Sequence, residues 1–232
     1  MIGIICAEQE ELNAIIKISE NTKTVKFKSF EFILGKILNK ECVFALSGCG
    51  KVNSAICTQT MIIIYNPKII LNVGVAGSID KKTNINDLII ADGTIQYDYD
   101  VSAFADRKKG QVSGFEFIKF ICDKNIVASL IKCSNEIKNI KTHVGTILTG
   151  DRFISSKEIS DKLRNEFGGI ACEMEAASIA QVCYLNNIPL GIIKSISDNA
   201  DKTSHIDFPE FIKTASNNTA VLLKKFIELY RD

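Results

Sequence analysis

Carboxylates stand in this chain where a packed core would not take them. Ala171-Cys172-Glu173-Met174-Glu175-Ala176 opens an apolar run, and Ser195-Ile196-Ser197-Asp198-Asn199-Ala200-Asp201 follows a strand-like one. An ionised carboxylate withdrawn from water is costly unless paired, so acids at such borders have a partner or a task. Read as the start of a helix running to Asn186, Glu173 and Glu175 point about 200° apart, so that one of them turns inward and needs a polar partner. Asp198 falls at the carboxyl end of a strand, from which an acid can reach a bound ligand; an Asx turn or a helix cap explains it too. Ala7-Glu8-Gln9-Glu10-Glu11-Leu12 makes an acidic first helical turn, which the helix dipole favours, and spacing does not single out one of the three acids.

Two glycine-bearing segments lie beside these acids. Ser47-Gly48-Cys49-Gly50-Lys51 and Asn72-Val73-Gly74-Val75-Ala76-Gly77-Ser78 each close a strand, and glycine there lets backbone approach a ligand. A plain turn explains each as well. The first lacks the spacing of a phosphate-binding loop or a dinucleotide fingerprint.

The elements that must hold these residues alternate. Strand patterns cover Ile2 to Ala7, Phe30 to Ile37, Cys42 to Leu46, Lys68 to Val73, Leu88 to Ala91, His143 to Thr149 and Leu190 to Ile196. Helical patterns cover Glu8 to Ile18, Val52 to Tyr65, Asp123 to Ile137, Ser156 to Phe167, Glu173 to Asn186 and Phe208 to Tyr230. This order predicts an α/β fold, a sheet covered on both faces, in one domain spanning residues 1–232. Pro67, Pro189 and Pro209 are expected at junctions between elements. The polar stretch from Asp98 to Gly114 reads as the one long loop. In open α/β sheets ligands gather beyond the carboxyl ends of strands, where the acids and glycines above fall.

Composition narrows the partners. With 28 basic and 27 acidic residues the formal net charge is +1, which gives no electrostatic footprint for nucleic acid or an anionic membrane. No apolar run approaches the roughly 20 residues of a spanning helix, and the first residues lack the flank of a signal peptide. Eight scattered cysteines without a Cys-x-x-Cys pair read as reduced core thiols of a cytoplasmic protein. His143 and His205 have no neighbouring ligand cluster, so no metal site is expected.

Taken together in their order, these segments resemble the bacterial 5′-methylthioadenosine/S-adenosylhomocysteine nucleosidases of the nucleoside phosphorylase superfamily. The resemblance runs from Gly3-Ile4-Ile5 through Glu10-Glu11, Ser47-Gly48-Cys49-Gly50-Lys51-Val52, Gly74-Val75-Ala76-Gly77, Asp100-Val101-Ser102-Ala103-Phe104, Thr149-Gly150-Asp151-Arg152-Phe153-Ile154, Glu173-Met174-Glu175-Ala176 and Ser197-Asp198 to His205 and Phe208. It implies a three-layer α/β/α fold with a central twisted mixed sheet. It also implies hydrolysis of the bond between adenine and a 5′-alkylthio-ribose, in methionine salvage and removal of a methyl-cycle by-product, with no cofactor.

The resemblance also implies roles. Asp198 would be the general acid toward N7 of adenine, and Glu11 would orient and activate the water. Glu175 would grip the ribose hydroxyls, with Glu173 near water and sugar and Met174 under the ribose. Phe153 would stack on adenine and the Ile154 backbone read its edge, beside Ala76, Gly77 and Ser197. Cys49 and Phe208 would form an apolar 5′ pocket, completed by Val101 and Phe104 from the partner subunit of a homodimer. Departures from the family pattern are Glu8, expected at the pocket mouth, Val75, Lys194 and the charged loop from Ala105 to Gly110. Rival readings are a purine nucleoside phosphorylase, disfavoured because none of the arginines (Arg107, Arg152, Arg164, Arg231) falls in the glycine turns, an aminofutalosine-type nucleosidase and a nucleoside-binding protein without activity.

Overall fold

A computed structural model describes residues 1–104 and 106–230 of the chain, so Ala105 and Arg231 lie outside the described residues. The first third holds β1 (Ile2–Cys6), α1 (Gln9–Ile16), β2 (Glu20–Phe27), β3 (Phe30–Ile37), β4 (Lys40–Leu46) and α2 (Lys51–Tyr65). Then come β5 (Ile69–Ser78), β6 (Leu88–Gln96), β7 (Phe120–Ile121), α3 (Lys124–Ser134) and β8 (Thr142–Thr149). The chain closes with α4 (Lys157–Phe167), β9 (Ala171–Glu173), α5 (Ala176–Leu185), β10 (Leu190–Asp198) and α6 (Ser204–Leu229).

Side-chain alternation along β1 shows how the layers form. Ile2, Ile4 and Cys6 enter one core with residues of α1, α3 and α6, while Ile5 enters the other with residues of α2 and α5. Added bulk at Gly3 would strike the Met61 side chain of α2 and the Ile70 side chain of β5, which pack directly over the strand there. Local signals end the helices: α2 stops at Asn66 in the left-handed region before Pro67, α4 at Gly168 (φ 70°), and Asp123 caps α3 by accepting from the N–H of Asn125 and Ile126.

The sheet is mixed. β1 runs parallel to β4 and β5, β10 parallel to β5 and β8 parallel to β6 and β9, while β2–β3, β3–β4, β5–β9, β6–β7 and β6–β10 are antiparallel. The pairings β5–β10–β6–β8–β9–β5 close a ring, and β1, β4, β3 and β2 extend from it as an open wing. Strand β5 is the branch point. Its residues Ile69 to Asn72 pair with β1, and Gly77 and Ser78 pair with β9, so Val73 to Ala76 have no strand on that side.

Several boundaries differ from the sequence pattern. The strands beginning near Lys68 and at Leu88 extend to Ser78 and Gln96, because residues there are buried despite their glycines and polar side chains. β2 escapes the pattern because it is an exposed polar edge strand paired only with β3, and β7 and β9 are too short to show a period. Glu173 ends β9 and α5 begins at Ala176, so the two acids are not on a helix and the 200° argument fails. α6 begins at Ser204 rather than Phe208, which puts Pro209 inside the helix and not at its start. Between Gln96 and Phe120 the described residues form neither helix nor strand, as expected of the long loop.

Candidate active site

A cavity of about 420 Å³ opens beside the unpaired stretch of β5, at the carboxyl ends of β1, β9 and β10. It gathers Glu11, Cys49, Ala76, Gly77, Phe153, Glu173, Met174, Glu175, Ser197, Asp198 and Phe208 from the sequence expectations, and Glu8, expected at its mouth, together with Ala7, Val75 and Cys172. A recess of about 30 Å³ continues from it between Gly77, Arg152, Phe153, Ile154, Cys172 and Asp198. Among the described residues no lysine or arginine lines the main cavity.

Glu11 fills the gap between strands. It is 3% exposed. Its Oε2 accepts from the N–H of Ala7 (2.8 Å) and Glu8 (3.0 Å), and its Oε1 from the N–H of Val75 (2.8 Å). The side chain thus supplies β5 with the acceptor that a neighbouring strand would have given. Gly74 permits this approach, since a Cβ there would collide with the carboxylate. Burial raises the pKa of Glu11 against the lowering pull of Lys194 and the three backbone donors.

Glu175 is buried, the Glu173 side chain is only 4% exposed, and the two divide their contacts. Glu173 accepts from the Thr149 hydroxyl (2.5 Å) and from the N–H of Ala176 at the start of α5 (2.9 Å), and pairs with Lys194 at 3.0 Å. Lys194 is fully buried in β10; burial alone would lower its pKa, but Glu173, Glu175 and Glu11 together outweigh that and raise it. Glu175 accepts from the N–H of Gly50 (2.8 Å), in a turn whose φ of 98° suits glycine. Burial first, then the neighbouring Glu173, pushes the Glu175 carboxyl up to about 7. Five carboxylates, those of Glu8, Glu11, Glu173, Glu175 and Asp198, therefore line the cavity beside one buried cation, Lys194.

Asp198 closes β10. Its Oδ1 accepts from the N–H of Ala200 (2.8 Å) and its Oδ2 from the Ser197 hydroxyl (3.0 Å). The Asx-turn contact and the position beside the recess are both present. Ala200 pays for the turn with a left-handed φ of 48°. Burial raises the pKa of Asp198 despite hydrogen bonds from Ser204, Ala200 and Ser197.

Apolar walls complete the cavity. Phe153 meets Phe208 edge-on with ring centroids 5.9 Å apart, and the Cys49 thiol lies 3.4 Å from the Met174 sulfur. Burial, then Glu175, pushes that thiol up to about 12. The segment carrying Phe153 is tied down by Asp151, whose N–H donates to Asp98 and whose carboxylate accepts from the N–H of Lys51; Lys51 Nζ meets Asp98 at 2.6 Å. Val101 and Phe104 are not brought into this cavity within one chain, and Phe104 is 93% exposed.

Sequence reasoning missed the parts played by Thr149, Gly74 and Cys172. The role of Lys194 had a signal: a lysine inside Ile192-Ile193-Lys194-Ser195-Ile196 cannot be buried without an acid partner. Among the described residues no group of three His, Cys, Asp or Glu side chains is arranged to hold a metal ion, and no helix is long and apolar enough to cross a membrane. All eight cysteines are unpaired and all but Cys49 are buried.

The geometry has close counterparts. The phosphorylase superfamily sequence profile matches residues 1–228. The chain is 35% identical to the 5′-methylthioadenosine/S-adenosylhomocysteine nucleosidase of Psychromonas ingrahamii, over 97% of each chain. It superposes with a TM-score of 0.95 on the crystal structure of that nucleosidase from Neisseria meningitidis in complex with methylthio-immucillin-A, at 33% identity over 99% of each chain. The native futalosine hydrolase of Helicobacter pylori is similar too, with a TM-score of 0.94 and 34% identity over 99% of this chain and 97% of that one. Full-length matches of this kind, on a fold whose ring and wing set the acids around one cavity, show that the chain belongs to the phosphorylase superfamily and, within it, to the 5′-methylthioadenosine/S-adenosylhomocysteine nucleosidase family.

Proposed function

We propose that the protein hydrolyses the N-glycosidic bond of 5′-methylthioadenosine and S-adenosylhomocysteine, and of 5′-deoxyadenosine, releasing adenine and the 5′-substituted ribose. The observation that carries this reading is the placement of two buried acids with raised pKa, Asp198 at the recess and Glu11 across the cavity. Adenine departs poorly as an anion. Asp198 gives its proton to N7 as the C1′–N9 bond breaks and the bonding pair passes to the base. Water adds to C1′ and its proton passes to Glu11. Glu175 accepts hydrogen bonds from the ribose hydroxyls, contacts that strengthen as positive charge grows on the sugar. Both oxygens of Glu173 have partners already, so we assign it to holding Lys194 and the start of α5 at the cavity wall.

Phe153 stacks on adenine, with the Ile154 backbone, Ala76, Gly77 and Ser197 around the base, and Met174 lies under the sugar. Cys49 and Phe208 take the 5′ thioether. Water rather than phosphate is the acceptor, because an anion would meet Glu11, Glu173 and Glu175 with no cationic side chain lining the main cavity. Arg107 and Arg164 are engaged elsewhere, with the Phe115 and Ile79 carbonyls.

We place the protein in the cytoplasm, in keeping with eight free thiols, as a homodimer in which Val101 and Phe104 of each subunit complete the other's 5′ pocket. In support, α2 exposes Val52, Ile56 and Ile63, and α5 exposes Tyr184 and Leu185. The test is adenine release from each nucleoside with and without phosphate, on wild type and Asp198→Asn. Equal turnover in both buffers and a loss of about a hundredfold in the variant are expected; dependence on phosphate, or an active variant, would refute the assignment.

A further inference from the structure

We propose that Glu8 sets the 5′ specificity of the cavity, favouring nucleosides whose 5′ substituent carries a cation over neutral ones and disfavouring anionic ones. The inference rests on the reading of the cavity as a 5′-alkylthioadenosine site and adds the charge that the substituent must carry.

Glu8 lies between β1 and α1, half-buried, and lines the main cavity but not the recess that holds Asp198. With the base at the recess and the sugar over Met174 and Glu175, the wall of Glu8, Cys49 and Phe208 is left for the 5′ group. Glu8, Cys49 and Phe208 line the same cavity, which sets the carboxylate among the groups that would meet the 5′ substituent. Burial, then Glu10, raises the pKa of Glu8, as befits an acid short of a counter-charge.

Its local ties do not use up the carboxylate. Glu8 and Glu11 form a reciprocal capping box over the first turn of α1, which engages one of about four lone-pair sites on the Glu8 side chain. Serine or aspartate would cap as well without the length that brings an acid to the cavity wall. Among the described residues no lysine or arginine forms an ion pair with Glu8, and Lys194 is held by Glu173. A ligand ammonium is the counter-charge that this wall lacks. A carboxylate in the same place would add to the acids already present.

The experiment compares kcat/KM for three adenosines whose 5′ groups differ in charge and little in size: 3-aminopropylthio, butylthio and 3-carboxypropylthio. Wild type is expected to rank them in that order. Glu8→Gln, which keeps an acceptor for the cap, should lower the amino-to-butyl ratio by about tenfold, the scale of one lost charge-assisted hydrogen bond, and raise the carboxy-to-butyl ratio. Glu8→Ser, a strong cap without the acid, should do the same, whereas Glu10→Gln, exposed and outside the cavity, should keep the wild-type ratios. Uniform losses across the three substrates in both Glu8 variants would overturn the proposal and leave Glu8 a helix cap. Absence of adenine release from all three by wild type would instead bring down the nucleosidase reading on which it rests.

Discussion

The most direct measure of the crowded carboxylates is the pH dependence of stability around Glu175. Its carboxyl is buried at 5% exposure beside Glu173 and is pushed from 4.5 up to about 7 in the folded protein. Below 4.5 the group is neutral whether the chain is folded or not, and contributes no penalty. As pH rises, the unfolded chain ionises first, so the folded state loses stability until the folded group has also ionised near 7. A carboxyl displaced that far is worth about 3 kcal/mol, an upper figure because nearby groups readjust. Glu175→Gln keeps an acceptor for the Gly50 N–H and does not titrate. Urea unfolding of ligand-free wild type and variant at pH 5, 6, 7 and 8 should show wild type losing ground to the variant as pH rises, by about 2 to 3 kcal/mol over the range, since part of the loss has already occurred at pH 5. A constant difference, or wild type gaining on the variant toward pH 8, would show that the site accommodates the charge and would refute the argument from burial.

Two further perturbations probe the same cluster. Lys194→Met leaves Glu173 buried without its cation and should cost about 3 to 5 kcal/mol, read as a fall in Tm of very roughly 10 °C; an unchanged unfolding curve would mean that Thr149 and the α5 amides suffice for that charge. Gly74→Ala drives a methyl group into the Glu11 carboxylate and should reduce kcat by about a hundredfold with far-UV circular dichroism intact, whereas normal turnover would show that Glu11 does not act from this position.

Much of this arrangement is legible in the residues. Seven strands and six helices follow from periodicity, and the acid stretches at Glu11, Glu173, Glu175 and Asp198 converge on one cavity as their anomalous placement suggests. What escapes the pattern has physical causes. A polar edge strand such as β2 has no buried face to give a period, and a three-residue strand such as β9 gives no pattern, so Glu173 reads as helical until its pairing is known. Ring closure depends on which strands meet, and alternation says nothing of that. Interactions between residues far apart in sequence, such as Gly50 with Glu175 or Gly74 with Glu11, leave a trace only as glycines in turns that have an ordinary explanation.

The way Glu11 stands in for a missing strand decides which of its oxygens can do chemistry. A carboxylate oxygen offers two lone pairs. Oε2 spends both on the Ala7 and Glu8 amides, whereas Oε1 spends one on Val75 and keeps one. On the reading proposed above, the water proton therefore arrives at Oε1, on the β5 side of the cavity, and the other oxygen serves as the fixed anchor. A glutamine at position 11 would turn its carbonyl toward the two amides at the Oε2 position and its NH2 toward Val75. The one basic site in the side chain would vanish and an N–H would face an N–H, so that substitution withdraws the base and unpicks the seam between β1 and β5 in a single step.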